Sequence, residues 1–217
     1  MEPGELWEIT LRSLFVAGLA TLLAGALGVP LGLFLALKAP GRLPRILLYT
    51  GMGLPAGLAL PSVVVGLFFY LLLSRQGPLG SLGLLYTPWA MVLAQTVLAL
   101  PLVASFLYMG ARARAEEVRT LVKSLGGRAA QIPLTLLWES RRALAAGLAS
   151  GFGAAISEVG AATPVGGDIR HQTRVLTTAI VLETRKGELE AALALGGVLL
   201  GVSLLVVALL LLLEEDA

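Results

Sequence analysis

The chain has 217 residues, of which 57% are hydrophobic and only 14% are charged. A soluble domain usually carries about 25% charged residues, so this composition argues against a soluble protein and indicates one that lies in a membrane. The formal charge of +2 gives no basis for nucleic-acid binding, and with no cysteine there is no basis for a disulfide framework, an iron–sulfur cluster or a thiol nucleophile.

Five apolar stretches approach the length of about 20 residues that a helix needs to cross a bilayer. Backbone amides find no water in hydrocarbon, so each stretch is predicted to be an α-helix. The predicted fold is an all-α integral membrane protein, a single membrane domain over residues 1–217 with about five transmembrane helices. The predicted spans cover residues 15–37, 54–73, 89–109, 144–162 and 189–213.

The distribution of Lys and Arg predicts how the chain crosses the membrane. Ten of the 16 basic residues lie between the first and second spans or between the third and fourth, and the other six lie on the opposite side. The positive-inside rule places the ten in the cytoplasm. We therefore expect a multi-pass protein of the cytoplasmic (inner) membrane, with the N-terminus outside and the C-terminus in the cytoplasm.

Glycines recur four residues apart in three of the predicted spans. This spacing makes a flat helix face that another helix backbone can approach closely. Such faces serve either tight packing within one chain or an interface between subunits, and both interpretations stay open. The pairs are Gly28 and Gly32, Gly147 and Gly151, and Gly197 and Gly201.

The cytoplasmic connection over about residues 111–140 contains a short amphipathic helix. Val118 and Val122 follow helical spacing, and Gly126-Gly127 is typical of a helix C-terminus. The helix either lies at the membrane surface and merely connects two spans, or presents a surface to a partner.

The sequence SLGG at residues 124–127, which follows this helix, resembles the coupling loop of ABC-importer permeases. The resemblance implies that the loop docks into a groove on an ATP-hydrolysing subunit. In that family the loop usually begins with Glu-Ala-Ala and ends in Leu-Pro. This chain departs from both: it has Thr120-Leu121-Val122 in place of Glu-Ala-Ala, and the nearby proline is Pro133. The residues that the resemblance implies in coupling are Glu116, Glu117, Leu121, Leu125, Gly126, Gly127 and Arg128.

The last third of the chain carries a more specific resemblance. The run AAISEVGAATPVGGDIRHQTRVLTTAIVLETRKGELEAALALG, residues 154–196, is similar to the tungstate/molybdate-type oxyanion permeases, and most of all to the tungstate branch. Residues 60–67 (LPSVVVGL) and 74–95 (SRQGPLGSLGLLYTPWAMVLAQ) resemble the same branch. The resemblance implies an ABC type I importer-like fold, with a cytoplasmic coupling helix between the third and fourth spans.

The same resemblance implies the partners of the chain. They are a second copy in a homodimer, a cytoplasmic ABC ATPase dimer and an extracytoplasmic oxyanion-binding protein, all assembled around the lipid bilayer. We expect no cofactor in this subunit, since ATP and Mg would be used by the ATPase.

Glu158, in the sequence SEVG, is placed near the outer end of the fourth predicted span. As an interfacial carboxylate it could cap the next turn or pair with an Arg; as a gate, with Ser157 and Thr163, it could close the pathway between two copies. A carboxylate repels a tungstate dianion. Glu158 is therefore expected to hold structure or prevent leakage rather than to bind substrate.

The outer segment over about residues 163–188 combines Gly166-Gly167 with Arg170 and Arg174. Arg matches tetrahedral oxyanions well, and glycine-rich turns can offer backbone amides to an anion. The segment is either an outer anion path, a docking surface for the binding protein, or simple surface charge. His171 is the single histidine, and it predicts no metal site.

Motifs of ATPases, metalloproteases and serine hydrolases are absent, so the subunit is predicted not to be an enzyme. The function expected is that of a permease that carries tungstate or molybdate across the membrane by alternating access. Two alternatives are a permease for another oxyanion, such as sulfate, and a standalone secondary transporter. The latter would usually need a buried acid–base relay or inverted repeats.

Overall fold

The structure is a computed structural model that describes residues 3–38 and 60–215. Within these ranges the secondary structure is helical, without strands. The described residues form eight α-helices: α1 (Pro3–Leu37), α2 (Ser62–Leu73), α3 (Pro88–Ser124), α4 (Ile132–Glu139), α5 (Arg141–Ile156), α6 (Ala162–Gly166), α7 (Leu176–Lys186) and α8 (Leu189–Glu215). Two short 3-10 turns lie at Gly80–Leu82 and Ala129–Gln131.

Three of the described helices, α1, α3 and α8, are long and apolar enough to cross a membrane. The qualifying segments are Gly4–Leu37, Pro88–Ser124 and Leu189–Leu210, with mean hydropathy of 2.1, 2.0 and 2.7. The first and third predicted spans lie within α1 and α3, and the fifth lies within α8. The described residues are therefore all-helical and include three helices long and apolar enough to cross a membrane, which agrees with the prediction of an all-α membrane protein.

The second and fourth predicted spans differ from the helices that occupy them. α2 begins at Ser62, and residues 54–59 of the second predicted span lie outside the described residues. α5 covers Arg141–Ile156 instead of residues 144–162. The chain turns after Ile156, and the hydroxyl of Ser157 donates to the carbonyl of Gly153 at 2.7 Å.

The amphipathic helix predicted within residues 111–140 is not a separate element. It is the C-terminal part of α3, which continues without interruption from Pro88 to Ser124. α4 follows after a turn. In the outer segment, residues 163–188, the end of α6 is followed by a loop and then by α7.

α1 and α3 run parallel and pack along most of their lengths. Glycines on α1 allow the close approach: a Cβ on Gly28 would lie 3.3 Å from the amide nitrogen of Ala104, and one on Gly32 would lie 3.0 Å from the carbonyl oxygen of the same residue. This glycine pair therefore serves packing within the chain.

α5 packs on α3 in the opposite direction, again through glycine. A Cβ on Gly147 would lie 3.2 Å from the Cα atom of Val103, and one on Gly151 would lie 3.1 Å from its Cγ2 atom. Gly197 and Gly201 on α8 differ, since no described atom lies within 4 Å of a Cβ at either position. Of the two interpretations of the glycine pairs, internal packing applies to α1 and α5, and the face of α8 is open.

The long helices define two ends of the molecule. The loop end contains the start of α1, residues 74–87 and residues 157–188. The basic end contains the last turns of α1 and α3, together with α4 and the start of α5. Basic residues of the described chain at the basic end are Lys38, Arg112, Arg114, Arg119, Lys123, Arg128, Arg141 and Arg142, and those at the loop end are Arg12, Arg75, Arg170, Arg174, Arg185 and Lys186.

Candidate functional site

The C-terminal end of α3 carries the coupling tip, which we define as residues 121–128. α3 has 37 residues, so at 1.5 Å per residue it is about 55 Å long and extends beyond a hydrocarbon core of about 30 Å. Val118 and Val122 are buried in one cluster with Ile132 of α4. Leu121 and Leu125 lie on the other side of the helix and are 49% and 77% exposed. The tip thus presents an apolar, solvent-exposed surface.

Two glycines shape the turn at the tip for different reasons. Gly126 has a φ of +71°, a conformation that L side chains rarely adopt, and there is open space around it. Gly127 needs room, because a Cβ there would lie 2.7 Å from Cγ1 of Val122. Its amide donates to the carbonyl of Val122 at 2.8 Å, in a typical helix C-terminal bond. The amide of Arg128 then donates to Oε1 of Gln131 at 2.7 Å, which fixes the following turn.

Two arginines of α3 bind the end of α1. Arg112 donates to the carbonyls of Ala36 and Lys38 at 3.0 and 3.1 Å. Arg119 donates to the carbonyl of Leu37 at 2.8 Å. The last carbonyls of a helix lack intrahelical donors and carry partial negative charge, so these contacts fasten α1 to the extension of α3. From the sequence, both arginines were considered only as positive charges. Their role as donors to the end of α1 becomes visible only with the parallel packing of α1 on α3.

The predicted acidic residues of the coupling segment are exposed on the same extension of α3. Glu116 forms an ion pair with Arg119 at 2.6 Å and is otherwise solvated. Glu117 and Arg128 are exposed as well. Six of the seven predicted coupling residues are thus exposed, and Gly127 is half-buried.

At the loop end, Glu158 caps a turn. Its Oε1 accepts a hydrogen bond from the amide of Ala161 at 2.9 Å, and its backbone carbonyl accepts one from the hydroxyl of Thr177 at 3.0 Å. The hydroxyls of Ser157 and Thr163 donate to carbonyls one helical turn earlier, and both residues are exposed. Of the interpretations of Glu158, the capping carboxylate is the one for which the structure gives a contact.

α2 crosses directly over this turn. A Cβ on Gly66 of α2 would lie 2.7 Å from the Cα atom of Ala161, and a Cβ on Gly160 would lie 3.0 Å from Cγ2 of Val63. The SEVG turn and α2 are therefore in backbone contact, with no room for a side chain at Gly66. Gly66 belongs to the quoted LPSVVVGL run, but only the packing of α2 on the turn shows why it is glycine.

The outer loop, residues 167–174, is bound to the start of α1. Arg170 donates to both carboxylate oxygens of Glu5, at 2.9 Å from Nε and 2.8 Å from Nη2. Nδ1 of His171 lies 2.8 Å from Oε2 of Glu8, and the other oxygen of Glu8 pairs with Arg12. These contacts join residues about 165 positions apart in the chain.

Arg174 is also held by carboxylates. Its Nε donates to Oδ1 of Asp168 at 3.2 Å, and its Nη1 lies 3.6 Å from Oε1 of Glu5. Its carbonyl accepts a hydrogen bond from Arg12 at 2.9 Å. The amide of Gly167 is bonded to the carbonyl of Thr163 at 2.9 Å. The donors expected to line an anion path are thus engaged within the protein in this conformation.

Thr173 organises the outer loop from within. It is fully buried; its hydroxyl donates to the carbonyl of Gly166 at 2.5 Å and accepts from the amide of Ile169 at 2.9 Å. Asp168 and His171 have φ values of 49° and 61°, so the loop takes a tightly wound path. The sequence did not single out Thr173 or Glu5. Among the described residues no group of three or more side chains could hold a metal ion.

The chain matches no known protein-family profile. It is 41% identical over 204 residues to a probable anion ABC transporter permease protein of Haloferax volcanii, which covers 91% of this chain and 85% of that protein. It is 38% identical over 215 residues to a tungstate uptake system permease protein of Peptoclostridium acidaminophilum, covering 98% and 91%. It is 33% identical over 208 residues to a molybdenum transport system permease protein of Mycobacterium tuberculosis, covering 91% and 75%. These similarities extend over nearly the whole chain.

Proposed function

Because the chain belongs to the family of ABC transporter permeases for tungstate and molybdate, we propose that it is the membrane-spanning subunit of an ATP-driven importer whose substrate is tungstate. The observation that carries the proposal is the similarity to the tungstate uptake permease, which covers 98% of the chain at 38% identity. The similarity to molybdenum permeases is lower, at 33%. Molybdate is therefore the second candidate.

The proposed orientation places the basic end in the cytoplasm. Within the described chain, the basic end carries more Lys and Arg than the loop end does. Two further arginines, Arg42 and Arg45, follow the end of α1 in the sequence. Short loops with Lys and Arg stay on the cytoplasmic side. The loop end then faces outward, where an extracytoplasmic binding protein would deliver the anion.

A cytoplasmic ABC ATPase would dock on the coupling tip. Leu121 and Leu125 form an exposed apolar centre on a helix that extends beyond the membrane, and Glu116, Glu117 and Arg128 surround it with charge. An apolar centre with a polar rim is typical of a protein–protein interface. ATP and Mg would be bound and used by that partner.

A second copy of the permease would pack in the membrane and complete the transport pathway. The support in the structure comes from α8, because only 6% of its most apolar stretch is buried against the rest of the described chain. Gly197 and Gly201 leave room on α8 for close approach by another helix.

Alternating access would use α3 as the connection between the two ends. The helix joins the coupling tip directly to Pro88 at the loop end, and the amide of Tyr86 just before it donates to the carbonyl of Val165 at 2.8 Å. Pro101 interrupts the hydrogen-bond ladder in the middle of the helix, where bending is easiest. Movement of the tip would therefore be carried along α3 to the loop end. There Tyr86 contacts Val165, which lies in α6, just after the turn around Glu158.

At the loop end we assign supporting roles. Glu158, with Ser157 and Thr163 beside it, would set the shape of the gate and would not touch the anion. The segment from Gly166 to Arg174 would serve as a docking surface for the binding protein, since Arg170 and Arg174 already bind carboxylates.

The test is ATP hydrolysis by the reconstituted permease–ATPase complex, with its binding protein loaded in turn with tungstate, molybdate or sulfate. The proposal expects stimulation by the tungstate-loaded form and a weaker response to the other two. Stimulation by the molybdate-loaded form alone would mean that the substrate is molybdate, while the assignment as an ATP-driven importer would stand. A permease that assembles with no ATPase would refute the importer itself.

A further inference from the structure

A cavity of about 700 Å³ opens at the loop end, between the end of α2 and the connection that leads to α3. Its wall combines one guanidinium with hydroxyl and amide groups on an apolar base. The residues that line it include Tyr70, Ser74, Arg75, Gln76, Gly80 and Tyr86. None of the described residues that line it is Asp or Glu, and the sequence has neither between Glu8 and Glu116.

Arg75 differs from three other arginines of the loop end. Arg12, Arg170 and Arg174 each pair with a carboxylate. Arg75 is exposed and forms no ion pair or hydrogen bond with the part of the chain that the structure describes. Its guanidinium is therefore left for a ligand of the cavity.

The loop that carries Arg75 packs tightly against the end of α2. The amide of Leu79 donates to the carbonyl of Leu72 at 3.0 Å, so the loop folds back on the helix. Gly80 lies so close to the chain before it that a Cβ there would overlap the carbonyl oxygen of Ser74. The wall of the cavity is therefore formed by backbone segments in contact, and not by independent surface side chains.

Tyr86 connects the cavity to the turn around Glu158. Its φ of 62° is rare for a bulky residue. Its amide donates to the carbonyl of Val165 at 2.8 Å, and a Cβ on Gly167 would lie 2.9 Å from Cδ1 of its ring. Both contacts are at the end of α6, which follows the turn. The cavity therefore borders the segment that the proposed function places at the gate.

We propose that this cavity binds a tetrahedral oxyanion at the outer mouth of the transport pathway. The guanidinium of Arg75 would bind two of its oxygens, because a fork of N–H donors matches an oxyanion. The hydroxyls of Tyr70 and Tyr86, whose ring centres are 6.5 Å apart, would donate to the others together with the amide of Gln76. That the anion is tungstate or molybdate rests on the proposed function.

An anion fits this cavity better than a cation or an apolar ligand does. A dianion would be attracted by the unpaired positive charge, whereas a cation would be repelled by it. A water molecule takes about 30 Å³ of liquid, so a cavity of about 700 Å³ has room for an oxyanion and several waters. The anion would keep part of its hydration shell and be held weakly, which suits a site that has to release its ligand.

The experiment places a thiol in the cavity wall of a chain that has no cysteine. Ser74→Cys replaces a hydroxyl that donates to the carbonyl of Leu71, so it removes none of the proposed donors. The full chain is reconstituted alone into phosphatidylcholine bilayer discs, which leave both ends open to a neutral maleimide. We expect tungstate, molybdate and sulfate to slow alkylation of the thiol severalfold at saturation, compared with chloride at equal ionic strength.

Matched variants in the Ser74→Cys chain separate the cavity from general surface charge. Arg75→Gln should raise the concentration of tungstate that gives half of the protection by about tenfold or more, since charge-assisted hydrogen bonds are lost. Arg75→Lys keeps the charge without the fork and should fall in between, which also shows that the loop folds. Arg185→Gln removes a positive charge of the same end that does not line the cavity, and should leave the protection unchanged.

Three results would overturn the proposal. An alkylation rate that the oxyanions leave at its chloride value would show that the cavity holds no anion. Equal protection in the Arg75→Gln variant would place the anion elsewhere. Alkylation that is slowed by phosphatidylglycerol in the discs, and no further by tungstate, would make the occupant a lipid headgroup.

This assay needs neither the ATPase nor the binding protein, so its failure is distinguishable from failure of the proposed function. ATP hydrolysis that responds to a tungstate-loaded binding protein, without protection of the Ser74→Cys thiol, would refute the site in the cavity and keep the importer. Protection by oxyanions in a permease that assembles with no ATPase would keep the site and refute the importer.

Discussion

Glu158 acts as a backbone acceptor in the structure, and this role can be tested apart from its charge. Glu158→Gln keeps an oxygen at the position that accepts the amide of Ala161, whereas Glu158→Ala leaves that amide without its acceptor. Loss of such a cap costs about 1 kcal/mol. We expect Glu158→Gln to retain uptake and thermal stability, and Glu158→Ala to lower the melting temperature of the purified permease.

The opposite pattern would support a gate that depends on charge. In that case Glu158→Gln would already change uptake or make vesicles leak, with the melting temperature unchanged. The sequence left both roles open. A cap on the next turn was one of them, and Ala161 is only three residues away; Thr177, 19 positions later, is brought to the Glu158 carbonyl by the fold.

The ion pair between Arg170 and Glu5 can also be tested by single substitutions. If Arg170 mainly ties the outer loop to α1 through Glu5, removing both partners should be no worse than removing Glu5 alone, which also faces Arg174. Arg170 is more than half exposed, so the pair contributes only about 0.2–1 kcal/mol. We expect Arg170→Gln to show a modest loss of uptake and of loop protection in hydrogen exchange, and Glu5→Gln and the double variant to show an equal, somewhat larger loss.

An anion ligand would behave differently. Glu5→Gln would then remove one partner of Arg170 and maintain or raise uptake, while Arg170→Gln would lower it. The sequence pointed to the arginines because their chemistry suits an oxyanion. It could not show that Glu5, 165 positions earlier, binds Arg170, or that Asp168 binds Arg174.

At the scale of elements, hydrophobic pattern predicted the long helices better than the short ones. The runs in α1, α3 and α8 are long, so errors at their ends matter little. α5 ends at Ile156, and the side chains of Ser157 and Glu158 that follow it bond to nearby backbone groups, contacts that hydropathy does not register. The continuity of α3 was missed because the pattern changes from apolar to amphipathic near Gly110, although the helix does not stop.

The contact between α3 and α1 carries a prediction about coupling. Arg112 binds two carbonyls at the end of α1, so Arg112→Gln should loosen α1 from the coupling tip. We expect the complex with the ATPase to assemble and hydrolyse ATP, while uptake per ATP hydrolysed falls severalfold. Both quantities are measured on the same proteoliposomes.

Arg114→Gln is the matched control. It also removes one arginine from α3, but the partner it loses is Glu139 and not α1. An equal loss of coupling in both variants would mean that charge at the basic end, rather than the attachment of α1, is what matters. Unchanged coupling in Arg112→Gln would show that the tip acts without α1.

At the scale of the whole molecule, the two ends have different chemistry, and the proposed orientation in the membrane rests on this difference. The tip presents exposed leucines among charged groups, and the loop end closes over itself with ion pairs. Both ends could be found in the sequence as connections with charged residues. What each end contacts depends on parallel packing of α1 with α3, which composition alone does not determine.

The absence of cysteine from the chain makes this arrangement directly testable. Leu125→Cys places one thiol on the coupling tip, and Arg185→Cys places one at the loop end; both positions are exposed. A membrane-impermeant thiol reagent should label Arg185→Cys in intact cells and Leu125→Cys only in inverted vesicles. Addition of the ATPase should then protect Leu125→Cys, because docking buries the leucine position. Labelling from the reverse sides would invert the proposed orientation, and a Leu125→Cys thiol that stays reactive in the assembled complex would place the ATPase contact elsewhere on the basic end.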